Sequence, residues 1–265
     1  MIVLQNIIFS IVIGIIEGIT EFLPISSTGH IIIASHWLKI ESNSTKILSM
    51  FMQFGSALAI FYFFYKKILK ILIFKNQFEK RNTKILHILI SILPTTFLGL
   101  MFYKKIKLLF NIDNVMYALI LGGILLIISE IFKPKKYTIS HISNINLFQS
   151  IIIGLFQIFS LYPGVSRSGI TIAIGILLGI KRSVAIEFSF IISIPLLMGA
   201  SFFDVIKNIN TIKIIDLPIF FLGFIISFLV SILSIKKLLR IINKTSMIFF
   251  GIYRFILASL IYFIN

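Results

Sequence analysis

Apolar positions in this chain fall into long unbroken runs, not into the strict alternation of a half-buried strand or the one-sided stripe of a soluble helix. Six runs are long enough to cross a bilayer: Ile47 to Tyr65, Ile85 to Tyr103, Val115 to Ser129, Val184 to Phe203, Leu217 to Ile235 and Met247 to Ile264. At about 1.5 Å per residue most of them approach the roughly 30 Å hydrocarbon core. The run at Val115 is the shortest and would lean on Tyr117 and Lys133 as interfacial anchors. The other apolar segments come as broken pairs. Ile7 to Phe22 is halted by Pro24, and Ile31 to Leu38 beyond it covers only about 12 Å of helix. Leu147 to Phe159 stops at Pro163 and Gly164, and Gly169 to Ile180 covers about 18 Å. Neither second member can cross, so each pair predicts a re-entrant helix-turn-helix hairpin that returns to the side it came from. The predicted fold class is all-α: a polytopic integral membrane protein with six transmembrane helices and two re-entrant hairpins.

The two hairpins resemble each other. An offset of 140 residues lays Gly14 on Gly154, Glu17 on Gln157, Phe22 on Tyr162, Ser26 on Ser166, Thr28 on Ser168 and Gly29 on Gly169. Three spanning runs follow each hairpin, which makes two halves, about 1–132 and 145–265, within a single membrane domain. Three is an odd number, so the second half enters the membrane from the opposite side. This is the inverted repeat of secondary transporters, with a site expected where the interrupted helices meet.

Composition agrees and adds orientation. Only 13% of the residues are charged and 58% are hydrophobic, far from the roughly 25% charged composition of a soluble domain. The start, Met1-Ile-Val-Leu-Gln-Asn6, carries no basic segment of the kind that opens a signal peptide and reads as mature sequence. There is no cysteine, so disulfides and thiolate chemistry are excluded and any metal must use oxygen or imidazole ligands. The formal charge of +16 does not point to nucleic acid, because the cations lie between apolar runs, where they meet anionic headgroups. With the basic segment Lys66 to Lys84 placed in the cytoplasm, 16 of the 25 Lys and Arg fall on that side and 7 on the other, while Arg167 and Arg254 stay within the bilayer. That orientation makes the first hairpin enter from outside and the second from the cytoplasm.

The hairpin turns carry the candidate chemistry, because ionisable residues at membrane depth are functional by default. Glu17 and Glu21 share a helix face, where two carboxylates repel. They call for a cation, a shared proton or an arginine, and a hard divalent ion, Mg²⁺ or Ca²⁺, shared with a phosphate is the simplest solution. An exposed acidic pair at a helix end is the plainer alternative. Ser26, Ser27 and Thr28 precede an apolar helix, as ordinary N-caps do. Beside two acids, however, a helix N-terminus is an anion site, and His30, one turn on, is a candidate general acid or base. In the second turn, Arg167 stands between Ser166 and Ser168. It would either pair with Glu17 or Glu21 or grip phosphate bidentately. Gln157 would orient a ligand and Thr171 would add a hydroxyl. Arg254 reads equally as a buried ion-pair partner and as support for the site, and His36, His87 and His141 carry no assignment.

The stretches Glu17-Gly-Ile-Thr-Glu-Phe-Leu-Pro-Ile-Ser-Ser-Thr-Gly-His30 and Pro163-Gly-Val-Ser-Arg-Ser-Gly-Ile-Thr171, with Phe188-Ser-Phe190 and Ile252-Tyr-Arg254 as weaker matches, resemble the undecaprenyl-diphosphatase (bacitracin-resistance) family of bacterial membrane enzymes. The resemblance covers essentially the whole chain. It implies hydrolysis of a polyprenyl diphosphate lipid to its monophosphate at the bacterial inner membrane, a divalent-metal requirement and a site open to the periplasm, serving carrier recycling for peptidoglycan. On that reading Glu17 and Glu21 hold the metal, Arg167 clamps the diphosphate and Ser27, helped by His30, is the nucleophile, with water activated by His30 as the second mechanism. Expected partners are the lipid substrate and membrane lipids, with no nucleic acid, and a homodimer is compatible with the sequence. A transporter or flippase of an anionic lipid is the rival reading, since repeat architecture does not settle function.

Overall fold

The computed structural model describes residues 2–38, 43–73, 85–212 and 214–264. Eleven α-helices run through the described residues: α1 (Ile2–Thr20), α2 (Ser27–Trp37), α3 (Asn43–Ile73), α4 (Ile85–Met101), α5 (Tyr103–Leu108), α6 (Ile112–Ile131), α7 (Leu147–Gln157), α8 (Arg167–Leu177), α9 (Arg182–Lys207), α10 (Leu217–Lys244) and α11 (Met247–Ile264). Most of the basic segment 66–84, together with Lys39 and Lys213, lies outside the described residues.

Four helical stretches are long and apolar enough to span: Ile47–Leu69, Ile112–Ile131, Arg182–Lys207 and Ile214–Lys244. The chain is therefore a multi-pass membrane protein. The other two expected spans form apolar helices just short of that length, Ile85–Met101 and Met247–Phe263. Several helices outrun the apolar runs that announced them. α3 continues past Tyr65 through Lys66 and Lys67, and α10 continues past Ile235 to Lys244. Lysine and arginine are good helix formers and no proline or glycine intervenes, so loss of hydropathy ends a span without ending the helix. α6 starts earlier than the apolar run because the Asn111 side chain caps it, accepting from the Asn114 N–H at 2.9 Å. The six-residue α5, too short to carry a hydropathy signal, was not expected.

Both broken pairs are helix-turn-helix units, α1 with α2 and α7 with α8. Their turns match in detail. Ser26 has φ 73° and Ser166 has φ 71°, the two non-glycine residues with positive φ among those described. Each serine Oγ caps the second helix of its pair, accepting from Gly29 N–H and Gly169 N–H at 3.1 Å. A left-handed serine costs on the order of 1–3 kcal/mol and persists only where its surroundings impose it. The 140-residue correspondence thus extends from sequence to backbone.

Around the turns, α3 lies along α10, α6 along α11, α1 against α10 and α4 against α7, with α3 crossing α9. Small residues permit the closest approaches: a Cβ on Gly123 of α6 would lie 3.1 Å from the Gly251 carbonyl of α11, as membrane helices pack. α8 is buried along its whole length from Arg167 to Ile176. Phe22, Phe188 and Phe190 are almost fully buried in the same core, Phe22 and Phe190 edge to face at 5.8 Å.

Candidate active site

α1 ends at Thr20, but the Glu21 N–H still reaches the Glu17 carbonyl at 3.0 Å, which keeps the two acids on one face before Pro24 turns the chain. Ser27 and Arg167 each occupy the first helical position after a left-handed serine, so equivalent places on the two turns hold a hydroxyl and a guanidinium. One carboxylate joins them. Ser27 Oγ donates to Glu21 Oε2 at 2.5 Å, and Arg167 Nη2 donates to Glu21 Oε1 at 2.7 Å. Glu17, Glu21, Ser27 and Arg167 are each no more than 9% exposed. Arg167 Nη1 donates to the Ser189 carbonyl at 3.1 Å, and its buried Nε has no partner. An unspent buried donor beside two hydroxyls is what an anion site requires.

These groups line a cavity of about 1170 Å³ whose wall includes Ser26, Thr28, Ser166 and Ser168. Ser168 also ties the turns together, donating to the Leu23 carbonyl at 3.2 Å. The cavity extends between apolar residues such as Ile31, Leu100 and Phe203 to Lys107 and Asp204, which pair at 3.1 Å near its far end. A polar head with an apolar extension suits an amphiphile.

Three expected residues are not on this wall. His30 is held elsewhere, one ring nitrogen 2.7 Å from the Ser26 carbonyl and the other 2.7 Å from the Tyr253 hydroxyl, with the two rings stacked. The ionisable group in contact with Ser27 is therefore the Glu21 carboxylate. Gln157 is buried between helices, its amide donating to the Ser91 carbonyl and to Thr95 Oγ at 3.4 and 3.3 Å. The Thr171 hydroxyl is occupied within α8 and by Ser189 Oγ at 2.6 Å, bracing the helix that carries Arg167.

Other residues at the site carried little sequence signal. Ser56 donates to Glu17 Oε1 at 3.1 Å, and Gln53 lines the cavity one turn away. Their i,i+3 spacing in an apolar helix was the available clue. Arg254 is wholly buried, and its bonded partners are carbonyls, not acids: Nε donates to Pro24 and Nη1 to Val165, each at 2.8 Å. It thus clamps both turns just ahead of their strained serines. Gly122 gives it room, since a Cβ there would fall 2.0 Å from Nη1. Arg254→Met should leave two buried carbonyls unpaired, costing roughly 1–3 kcal/mol each. We expect a lower unfolding temperature in detergent and a kcat that falls more than KM rises; an unchanged melt and kcat would remove the clamp.

Among the described residues, no three His, Cys, Asp or Glu side chains converge on a possible metal position. The donors at hand are oxygens, and Glu21 is already engaged by Arg167 and Ser27. A hard cation held by Glu17 and otherwise by phosphate oxygens and water fits this set, as Mg²⁺ is commonly bound.

The family model described as bacitracin resistance protein BacA matches residues 10–260. Proteins named undecaprenyl-diphosphatase from Buchnera aphidicola subsp. Acyrthosiphon pisum (strains 5A and APS) are 73% identical over 262 residues, covering 99% of both chains. One of the same name from Buchnera aphidicola subsp. Schizaphis graminum (strain Sg) is 60% identical over 260 residues, 98% of each. On a family match and full-length identity of this order, the chain belongs to the bacitracin resistance protein BacA family.

Proposed function

We propose that this protein hydrolyses undecaprenyl diphosphate to undecaprenyl phosphate and inorganic phosphate, returning the carrier lipid to envelope synthesis. The observation that carries the reading is the buried chain Ser27–Glu21–Arg167 across two helix N-termini, in a family whose relatives bear that activity in their name. Ser27 Oγ attacks the terminal phosphorus while Glu21 takes its proton. The bridging P–O bond breaks, and undecaprenyl phosphate leaves with the proton that Glu21 took from Ser27, which returns Glu21 to the carboxylate. Water then attacks the phosphoserine, Glu21 accepting its proton and passing it to Ser27 Oγ as the Oγ–P bond breaks, releasing phosphate and restoring Ser27. Arg167 and the N–H groups at the two helix starts meet charge on the transferring group. A Mg²⁺ or Ca²⁺ ion at Glu17 would supply further neutralisation of that charge.

The reading includes six membrane crossings with both hairpins re-entrant, residence in the bacterial inner membrane and a cavity facing outward, supported by the matched turns and by the distribution of Lys and Arg along the sequence. The matched turns also favour the second reading, transport of an anionic lipid. Phosphate release separates them. Purified protein in detergent, where no gradient exists, should release phosphate from undecaprenyl diphosphate, and sealed right-side-out vesicles should release it into the external medium. Substrate binding without release would favour transport, and release only into the lumen would invert the orientation.

A further inference from the structure

The catalytic cavity reaches Asp204 and Ile206 near the C-terminal end of α9. At the other end of that 26-residue helix, where Arg182 stands about 33 Å from Asp204 at 1.5 Å per residue, lies a separate pocket of about 390 Å³. That volume is in the ligand-pocket range of roughly 300–1,000 Å³. Four cations line it, Lys133, Lys181, Arg182 and Lys244, against a single acid, Glu130. Glu130 is already saturated: Lys133 and Arg182 pair with it, and the Met247 N–H donates to it at 3.0 Å. Arg182 donates further to the Thr245 carbonyl at 2.8 Å, so the cluster staples together the ends of α6, α9 and α10 and the start of α11. This fixes the pocket's shape but offsets one positive charge of four. Among the described residues, Lys181 and Lys244 are exposed and carry no ion pair, and the buried Nε of Arg182 has no partner. Hydroxyls of Tyr137 and Ser183 complete a rim suited to a multiply charged oxyanion.

The chain between two of the lining residues indicates where the anion comes from. Ile131 and Phe132 do not line the pocket, but they stand between Glu130 and Lys133 in sequence at the end of α6 and are 62% and 70% exposed. A free phosphate would use the cations and ignore this apolar step, whereas a phospholipid would use both. We propose that the pocket binds the phosphate of an anionic phospholipid in the leaflet opposite the catalytic cavity, with the acyl chains against Ile131 and Phe132. Basic pockets between helix ends recognise lipid headgroups in this way.

The test compares full-length wild type with Lys181→Gln/Lys244→Gln, neither position being near the catalytic cavity. Thermal unfolding in micelles would be followed with added phosphatidylglycerol, phosphatidylcholine or inorganic phosphate, and retained lipid counted by native mass spectrometry. Phosphatidylglycerol should remain bound and raise the wild-type unfolding temperature by a few degrees, and phosphatidylcholine should do neither. The double variant should retain phosphatidylglycerol about 30-fold less well, from the usual contribution of a lysine near an anionic headgroup, with phosphate release from undecaprenyl diphosphate unchanged. Inorganic phosphate alone reproducing the full shift, and losing it in the variant, would overturn the lipid as the source of the anion. Equal retention of both lipids, or a variant indistinguishable from wild type, would overturn the pocket itself.

Discussion

Ser27→Ala is expected to lower kcat by at least about 10³-fold while KM and the affinity for substrate stay within a few-fold of wild type. The substitution removes one oxygen. Arg167 keeps its bond to Glu21, and the Ser26 cap and its left-handed turn are untouched. Binding groups therefore survive and the attacking group does not. Steady-state kinetics with purified protein, paired with equilibrium binding of a non-hydrolysable diphosphate analogue, would separate the two. A near wild-type kcat would reduce Ser27 to a helix-start residue and require water as the nucleophile.

Glu21→Gln should be nearly as damaging, for two separable reasons. The amide can still accept a hydrogen bond from Ser27, but it cannot take the proton, and loss of a general base typically costs about 10²–10⁴-fold in rate. The change also strands Arg167, whose side chain, like that of Glu21, is only 8% exposed; breaking one partner of a buried pair costs roughly 3–5 kcal/mol. The expected signature is a collapsed kcat with a lowered unfolding temperature that added substrate or phosphate partly restores, since an anion can take the carboxylate's place beside Arg167. Glu21→Asp, which keeps charge but shortens reach, should recover stability more than rate. Full activity in Glu21→Gln would remove the carboxylate from both roles.

Much of this architecture was legible from residue order. Pro24 and the Pro163-Gly164 pair interrupt apolar runs too short to cross afterwards, and both interruptions became helix-turn-helix units. The pairing of Ser26 with Ser166, read from an offset, reappears as two matched left-handed caps. Arg167, read as either an acid's partner or a phosphate ligand, is bonded to Glu21 and retains an unpartnered Nε. His30 shows where spacing misleads. Three residues from Ser27 along a helix suggested a shared task, but a side chain's direction depends on which neighbours offer partners, and Tyr253 comes from more than two hundred residues away. Gln157 and Thr171 faced the same difficulty, since their partners Ser91, Thr95 and Ser189 lie on other helices and leave no local trace. Helix ends were missed where charged residues prolong a helix beyond its apolar run, because hydropathy marks the membrane and hydrogen bonding marks the helix.

The central claim is that Ser27, with its proton passed to Glu21, receives the transferred phosphoryl group. The most direct measurement is a rapid-quench single turnover of purified protein on undecaprenyl diphosphate labelled in its terminal phosphate, with label mapped to peptides by mass spectrometry. The account predicts transient label on Ser27, appearing with undecaprenyl phosphate and decaying as free phosphate rises, and none in Ser27→Ala. Stoichiometric phosphate release with Ser27 unlabelled at every time point, and the same release from Ser27→Ala, would contradict it.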